Sequence, residues 1–438
     1  MRRLVPVFLL ALVSTANAAP TNIVVILADD LGYADISCFD GWVKTPHLDA
    51  LANAGRRLTD FHSSGAVCSP TRAGLMTGRY QQRVGIPGVV TAKGHRDKGL
   101  TTNHLTFAEV LKKQDYTTAT YGKWHLGYDP KYNPIHHGFD RFRGYVSGNI
   151  DFFSHIDQTG ICDWWNGDKL IEEPGYVTHL ITKHGVRFIE ENKDRPFCLY
   201  LAHEAPHYPY QGPNDKGERT VGGKFDVKGA REDKKNAYRE MVVELDNGVG
   251  AIVETLIKHK LWENTFVFFF SDNGATSLGS NGELHGFKGS VWEGGHRVPG
   301  IAVWPGHIPA GSHSDQTSIS LDLFPTLAAV AGAKIPDSHQ LDGTNLLPLL
   351  LRDDELKERT LFWRHGKQVA ARRGPWKVVV NHQKKAKRPE PPALFDLSKD
   401  IGEKKNLSKS EPRRLKVLLD QLAAWEAEIG EDEFGSQD

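Results

Sequence analysis

The chain has 438 residues, of which 39% are hydrophobic and 25% are charged, a balance typical of a globular protein that can bury a large core. The 54 basic and 54 acidic side chains give a formal net charge of zero, which excludes the overall basic excess of many nucleic-acid-binding proteins, so no nucleic-acid partner is expected. The length predicts about two or three domains.

The N-terminal segment is organised like a secretory signal peptide. Arg2 and Arg3 precede the apolar run LVPVFLLALV, which is too short to span a bilayer, and ANA, ending at Ala18, is a small-x-small cleavage site. A buried first strand or a membrane anchor is the alternative. No later segment is long and apolar enough to cross a membrane. We therefore expect a cleaved signal peptide over residues 1–18, a periplasmic or secreted mature protein and no integral membrane segment.

The mature chain alternates predicted strands and helices. It begins with NIVVILADDLG (22–32), a continuous apolar run that is typical of a strand buried on both faces. This alternation predicts an α/β fold with a largely parallel sheet covered by helices on both faces. In chain order, the later segments are the helix and extended segment HLDALANAGRRLTDFHSS (47–64), the helix–strand units TFAEVLKKQDYTTATYGKWHLG (106–127), GVRFIEENKDRPFCLYLAHEAPHYP (185–209) and YREMVVELDNGVGAIVETLIKHKLWENTFVFFFSDNG (238–274), the strand VPGIAVWPG (298–306) and the helix SISLDLFPTLAAVAGA (318–333).

The character of the sequence changes in its last quarter. FWRHGKQVAARRGPWKVVVNH (362–382) predicts paired strands around the turn RRGPW, and PALFDLSKDIGEKKNLS (392–408) predicts an edge strand and a loop. EPRRLKVLLDQLAAWEAEI (411–429) is typical of an amphipathic helix, and NHQKKAKRPEPP (381–392) of a charged, proline-rich loop. These elements predict a smaller antiparallel domain that carries a terminal helix.

The four cysteines are too few and too widely spaced for a disulfide scaffold. Cys38, Cys68, Cys162 and Cys198 would allow two bridges in an exported protein. If Cys68 is reserved for chemistry, at most one bridge can form, and the sequence favours no particular pair.

Carboxylate and amide side chains follow two of the predicted strands. Asp29 and Asp30 end the first strand, and two adjacent carboxylates can be buried together only with a cation. Asp272 and Asn273 follow another strand in the same way. Oxygen ligands favour a hard ion such as Ca²⁺ or Mg²⁺. Taken alone, Asp29 and Asp30 could instead form a solvated strand end or a helix cap, and Asp272 and Asn273 could belong to an ordinary Asx-Gly turn.

Cationic and imidazole side chains follow other predicted strands. Lys123 and His125 lie two residues apart, so in an extended segment they would point the same way and suit an anion. His203 and His207 lie in a proline-stiffened loop, and Lys288 lies in a glycine-rich loop. The segment with Lys123 and His125 could instead be a surface loop, and Lys288 could simply face solvent. Ligand sites of parallel sheets lie beyond the carboxyl ends of the strands, which would gather most of these residues at one rim.

Cys68 precedes Ser69-Pro70, a sequence that predicts the start of a helix with proline at its first position. The unpaired N–H groups of a helix N-terminus favour negative charge, and Arg72 lies one turn further on. A thiolate nucleophile would fit these facts. It would not explain a hard metal site, because thiolates prefer soft metals.

CSPTRAGLMTGRY (68–80) resembles the signature of the type I, formylglycine-dependent sulfatases, C-x-P-x-R followed by Thr-Gly-Arg. ILADDLG, GKWHLG, APH, SDNG, KGSVWEGG, RVPGIAVWPG and LDLFPTLAAVAG match further blocks of that family in the same order. The resemblance covers essentially the whole mature chain. The chain is most similar in character to bacterial exported enzymes of the arylsulfatase A or N-acetylgalactosamine-6-sulfatase type.

The resemblance implies an alkaline-phosphatase-like fold, in which a mostly parallel sheet is flanked by helices. It implies a catalytic α/β domain over residues 20–350 and a C-terminal α+β subdomain over residues 351–438. In the family, sulfate esters are hydrolysed and inorganic sulfate is released, and the substrate expected here is a sulfated carbohydrate. A formylglycine-generating or sulfatase-maturating enzyme is the implied transient partner, since it converts the cysteine.

The resemblance also assigns roles to individual side chains. Cys68 would be converted to formylglycine (3-oxoalanine), whose hydrate is the nucleophile, with Arg72 holding it and His125 orienting or deprotonating it. Lys123, Lys288 and His207 would hold the sulfate oxygens, and His203 is a further substrate-binding candidate. The implied calcium ligands are Asp29, Asp30, Asp272, Asn273 and the converted Cys68.

Two rival functions stay open at this point. A phosphatase or phosphonate monoester hydrolase could share the fold, although the sequence has no two-zinc set rich in His and Asp. A catalytically silent glycan-binding protein would retain an unconverted Cys68. The sugar would be recognised by loop 147–167, the loop around His95 and Arg96, and FWRHGK (362–367). Within the first of these loops, Trp164 or Trp165 could stack on a sugar ring, and packing in the protein core is the alternative.

Overall fold

The computed structural model describes residues 20–381 and 390–430. The predicted signal peptide lies outside the described residues, as does most of the predicted proline-rich loop. Within the described residues, no helix is long and apolar enough to cross a membrane. All four cysteines are described and none forms a disulfide.

Over the described part of the chain, the large sheet has ten strands in the order β11-β2-β10-β9-β1-β8-β4-β5-β6-β7. Its centre, from β9 to β5, is parallel, which confirms the predicted mostly parallel sheet. The predicted strand 298–306 forms β10, which runs antiparallel to both of its neighbours. The strands of this sheet are β1 Asn22–Ala28, β2 Arg56–Leu58, β4 Thr117–Lys123, β5 Arg141–Tyr145, β6 Trp165–Asn166, β7 Lys169–Leu170, β8 Phe197–Ala202, β9 Thr265–Ser271, β10 Gly300–Val303 and β11 Ser312–Ser314.

Two apolar cores cover the two faces of this sheet. In β1, Ile23 and Val25 belong to one core and Val24 and Ile26 to the other, because successive side chains of a strand point to opposite faces. This explains why β1, β8 and β9 are continuous apolar runs rather than alternating ones. The helices are α1 Pro46–Asn53, α2 Cys68–Thr77, α3 Phe107–Lys112, α4 Val177–Asn192, α5 Lys234–Lys258, α6 Glu293–His296, α7 Leu323–Val330, α8 Leu347–Arg352 and α9 Pro412–Ile429.

The predicted helix over 318–333 is wrong in its first part. Ser318 and Ile319 form β12, which pairs with β3 (Phe61–His62) in a small parallel sheet, and α7 begins only at Leu323. The Asp322 carboxylate accepts a hydrogen bond from the Ile319 amide at 2.9 Å. This side chain therefore fixes a turn between strand and helix, where an unbroken helix was expected.

The C-terminal part contains a four-stranded antiparallel sheet in the order β13-β14-β15-β16. Its strands are β13 Thr360–His365, β14 Gln368–Arg373, β15 Trp376–Val380 and β16 Ala393–Asp396. Helix α9 packs on this sheet through Leu418, Leu422 and Trp425, as its amphipathic sequence predicts. The same core includes Tyr80 and Val291, so the sheet is packed directly against the α/β part. The division at residue 350 stays a prediction.

Candidate active site

The predicted acidic residues meet at one edge of the large sheet. Strands β1 and β9 are adjacent and parallel, with Ala28 opposite Ser271, so the residues that follow each strand emerge side by side. The backbone amide of Asp30 donates to Asp272 Oδ1 at 3.3 Å. Asn273 Nδ2 donates to Asp30 Oδ1 at 2.8 Å. The topology thus brings together four oxygen-bearing side chains that are distant in sequence.

Cys68 is the first residue of α2, whose N-cap residue, Val67, is extended. Pro70 is therefore the third helical residue, and its predicted place at the first position is wrong. The Cys68 Sγ atom lies 3.6 Å from Asp29 Oδ1, and the residue is only 2% exposed. The helix N-terminus thus directs this side chain into the acidic cluster.

Three cations face the three carboxylates. Lys123, the last residue of β4, binds Asp29, and Arg72 Nη2 lies 2.9 Å from Asp272 Oδ2. Lys288 Nζ lies 2.5 Å from Asp30 Oδ1 and 3.2 Å from Cys68 Sγ. Three cations thus face three acidic side chains, which lowers the cost of burying so many charged groups together.

Two histidines complete the cluster. His207 Nε2 lies 3.7 Å from Asp30 Oδ2, and its Nδ1 lies 2.6 Å from the Tyr208 carbonyl oxygen. His125 follows β4 with φ of 55°, so it is left-handed rather than extended as predicted. Its Nε2 hydrogen-bonds with the Val90 carbonyl at 3.1 Å. Burial, followed by the charges of Lys123 and Arg72, lowers the pKa of His125 well below its usual value, so its imidazole is neutral.

His203 is not brought to this cluster. Its backbone amide donates to the Leu27 carbonyl at 2.9 Å, which continues the ladder between β8 and β1. Its imidazole Cε1 lies 3.7 Å from the position that a Cβ on Gly248 of α5 would take. Burial alone lowers the pKa of His203 to about 3, with no charged neighbour contributing. The structure therefore gives no support to the predicted substrate-binding role of His203.

The donor set fits a hard cation. Ligand atoms of Asp29, Asp30, Cys68 and His207 all lie within 4.8 Å of one another, and all four residues are buried. Among the described residues, the buried atoms Asp30 Oδ2 and Asn273 Oδ1 have no hydrogen-bond partner. Buried oxygens without a partner are costly, and a bound ion would satisfy them.

Burial and the neighbouring Asp29 carboxylate raise the pKa of the Cys68 thiol to about 12. An unmodified Cys68 is therefore protonated at neutral pH, which argues against the thiolate nucleophile that the sequence left open. Burial alone would raise the pKa of Asp29, but Lys123 and the other cations outweigh it and hold the pKa below the usual range. Burial and the Asp29 charge raise the pKa of Asp272 to about 7.

Two residues that contact the cluster were not singled out from the sequence. The Tyr208 ring lies 4.2 Å from the His207 ring, measured between centroids, and its position next to His207 in the chain was a usable signal. A Cβ on Gly148 would lie 2.8 Å from His125 Nε2. Only the three-dimensional structure brings residue 148 to residue 125, so no sequence signal existed.

The predicted sugar-stacking tryptophans are engaged within the protein. Trp164 is 1% exposed, stacks on His155 at 4.8 Å between ring centroids, and donates from Nε1 to Glu173. Trp165 lies in β6 and donates from Nε1 to Asp163 Oδ1 at 2.6 Å. Trp164 therefore cannot present a ring face to a ligand, and that part of the expectation is wrong.

Comparison with known protein families gives a match over most of the chain. A family model described as Sulfatase matches residues 21–333. The chain is 36% identical to Arylsulfatase A of Homo sapiens in an alignment of 443 positions that covers 90% of this chain and 84% of that protein. It is 34% identical to N-acetylgalactosamine-6-sulfatase of Mus musculus in an alignment of 392 positions that covers 83% of this chain and 72% of that protein.

Comparison with solved structures gives a consistent result. A crystal structure of Ps i-CgsB has 32% sequence identity and a TM-score of 0.84, and the match covers 94% of both chains. The structure of Ps i-CgsB in complex with k-i-k-neocarrahexaose gives the same values. The predicted alkaline-phosphatase-like fold with a C-terminal antiparallel sheet is thus confirmed.

Proposed function

Since this chain belongs to the sulfatase family of sulfuric ester hydrolases, we propose that it removes sulfate from a carbohydrate ester through a converted Cys68 and a calcium ion. The observation that carries this proposal is the convergence of Asp29, Asp30, Cys68 and His207 within 4.8 Å, with Lys123 and Lys288 bound to the two aspartates.

The oxygens of Asp29, Asp30, Asp272 and Asn273 would hold calcium together with the converted Cys68. Calcium would supply positive charge next to the sulfate, and formylglycine at Cys68 would supply a hydrated aldehyde as the oxygen nucleophile. With Asp272 ionised, which a bound cation would favour, the three carboxylates and three cations of the site cancel one another. A divalent ion would therefore leave the site with excess positive charge, which suits a sulfate ester.

The protein's own side chains would bind the substrate and move protons. Lys123, Lys288 and His207 would bind the sulfate oxygens, and their charge would offset negative charge that develops at sulfur. Arg72 would hold the side chain of residue 68 against the acidic cluster. His125 would accept a proton from the attacking hydroxyl at Nδ1, because its Nε2 donates to the Val90 carbonyl and the buried Nδ1 has no hydrogen-bond partner among the described residues.

A sulfated glycan is the substrate class that we propose. Support comes from two proteins that this chain resembles: N-acetylgalactosamine-6-sulfatase by its name, and Ps i-CgsB by its complex with k-i-k-neocarrahexaose. The signal-peptide pattern of residues 1–18 supports a periplasmic or secreted location, where such glycans are encountered. A maturating enzyme in the producing cell would convert Cys68.

The test combines mass spectrometry with substrate screening. The protein is produced together with a maturating enzyme, and the peptide that contains Cys68 is analysed for the aldehyde. Sulfate release is then measured on defined sulfated mono- and oligosaccharides, with phosphate and phosphonate monoesters as competing substrates and Cys68→Ala as the control variant. We expect aldehyde and sulfate release together. Converted protein that prefers a phosphonate or phosphate ester, or binds sulfated sugars without turnover, would contradict the proposal.

A further inference from the structure

A buried charge cluster links the α/β part to the C-terminal sheet. Glu293, the first residue of α6, is completely buried. Its carboxylate oxygens accept from Arg372 Nη1 of β14 at 3.1 Å and from Lys377 Nζ of β15 at 2.9 Å. Its backbone amide donates to Glu403 Oε2 at 2.8 Å. Two neighbouring strands and the loop after β16 therefore fix both the side chain and the backbone of one residue.

Glu293 lies at the end of the loop that carries Lys288. The amide of Gly294, next to Glu293, donates to the His285 carbonyl at 2.7 Å, so residues 285–294 form a closed loop. A Cβ on Gly295 would lie 1.9 Å from the Ser290 carbonyl oxygen, which shows how closely α6 lies against this loop. A shift of Glu293 would thus displace the C-terminal end of this loop, whereas its centre is held by the amides of Lys288 and Gly289, which donate to the Ala275 carbonyl at 2.9 Å and the Ala66 carbonyl at 2.8 Å.

The cluster is not arranged for a metal ion, although His62, Glu293 and His296 have ligand atoms within 4.8 Å of one another. The two imidazoles hydrogen-bond directly through their Nδ1 atoms at 2.9 Å, and Arg372 and Lys377 already occupy the Glu293 oxygens. A further cation would face these positive groups at close range. Desolvation offsets much of the Coulomb attraction of buried ion pairs, so net stabilisation is a weak explanation for the cluster.

We propose that the C-terminal sheet positions Lys288 for sulfate binding, with Glu293 as the anchoring residue and Arg372 and Lys377 as positioning residues. This inference rests on the proposed sulfate-binding role of Lys288. The two strands hold the Glu293 carboxylate at two points, which fixes its rotation as well as its position. The loop closed by α6 then presents Lys288 Nζ to Cys68 and Asp30.

The first test is the binding of inorganic sulfate, measured by calorimetry with calcium present, which does not require conversion of Cys68. We expect Lys377→Met to weaken sulfate binding and to lower kcat/KM about tenfold, because a displacement of about 1 Å near the reacting groups costs up to about 100-fold. Lys377→Arg, which keeps the charge, should recover part of the loss. If Lys377→Met does not fold, Glu293→Gln gives the same comparison with a smaller change in shape.

The matched control is Arg359→Met. Arg359 Nη1 donates to Asp322 Oδ1 at 2.7 Å, so this variant also breaks an ion pair between the C-terminal segment and the α/β part. The other partners of the Asp322 carboxylate are the backbone amides of Ile319 and Thr344, which lie outside residues 285–294, so kcat/KM should stay within about twofold of wild type. Equal losses in Arg359→Met and Lys377→Met would overturn the proposal, because they would indicate general loosening.

A double-mutant cycle separates this inference from the proposed function. If Lys377 acts through Lys288, adding Lys377→Met to Lys288→Ala causes little further loss of sulfate affinity or kcat/KM. A fully additive loss would overturn the positioning role. If Lys288→Ala alone leaves sulfate affinity and turnover unchanged, the proposed role of Lys288 in the reaction is wrong, and so is the inference that depends on it.

Discussion

Replacing Gly148 by alanine should lower the activity of the site, because the added methyl group would crowd His125. The added Cβ would lie 2.8 Å from His125 Nε2 and 2.9 Å from Cε1. Favourable heavy-atom contacts begin at about 3.5 Å, so the ring or the loop must move by about 0.7 Å. Neither can move freely, because His125 Nε2 is bound to Val90 and the amide of Ser147 donates to Asp163 Oδ2 at 2.8 Å.

The expected cost falls on catalysis more than on folding. Overpacking at one position destabilises a protein by about 1–3 kcal/mol, which is less than the free energy of unfolding of about 5–15 kcal/mol that is typical of native proteins. A displacement of about 1 Å near reacting groups costs about 100-fold, so Gly148→Ala should lower kcat/KM by about tenfold or more. The measurement is kcat/KM for a sulfated sugar together with the thermal unfolding temperature of each variant.

Gly217→Ala is the control, because its φ is not positive and the nearest atoms to its Cβ position lie at 3.3 Å, so the neighbours need to move by only about 0.2 Å. We expect its kcat/KM to stay close to that of wild type. The Gly148→Ala loss should also largely disappear when His125 is already alanine, since the clash then has no target. Wild-type kcat/KM in Gly148→Ala, or an undiminished loss in the His125→Ala background, would refute the reasoning.

The remaining predictions concern stability and metal binding. Calcium should raise the unfolding temperature of the chelator-treated protein and have little effect on Asp30→Ala; an equal shift in both would place the ion elsewhere. Because His203 is buried with its pKa lowered to about 3, its contribution to stability is present above its unfolded pKa and is lost as pH falls below about 6.5. In wild type this titration should lower the free energy of unfolding by about 2 kcal/mol between about pH 7 and about pH 5, and His203→Gln should lack that part of the decrease. Urea titration at the two pH values measures it, and an equal decrease in both proteins would contradict the prediction. Trp164→Ala should destabilise the fold by about 3–5 kcal/mol in the same assay, with KM unchanged in the protein that remains folded, and a selective rise in KM would instead restore a sugar-binding role. Reducing agent should leave the unfolding temperature unchanged, since none of the cysteines is paired, and a marked drop would reveal a bridge.

The sequence predicted the acidic part of the site because the rule behind it is topological. Asp29, Asp30, Asp272 and Asn273 each follow a strand of one parallel sheet, and parallel strands end at a common edge. The position of Lys123 follows from the same rule, since it ends β4. The convergence of these residues therefore needed only the strand assignments, although their roles in catalysis stay predictions.

The histidines show where such reasoning stops. His203 and His207 lie in the same short motif, and nothing local indicates that the first still hydrogen-bonds along the ladder with Leu27. A residue inside a ladder points to one face of the sheet, whereas a residue beyond the strand end can turn toward the rim. The contact between Gly148 and His125 depends on how two loops meet, which periodicity and spacing do not encode.

The central position of β1 in the sheet bears on how the protein unfolds. This strand is hydrogen-bonded on both sides, to β8 and to β9, and every one of its residues is buried. The amide protons of such a central strand exchange with solvent only through the most extensive unfolding of the molecule. The two aspartates that follow it are therefore attached to the last segment to come apart on heating. The geometry of these aspartates should survive partial unfolding at the periphery of the sheet. Irreversible thermal inactivation should therefore coincide with cooperative unfolding of the whole sheet and should not precede it.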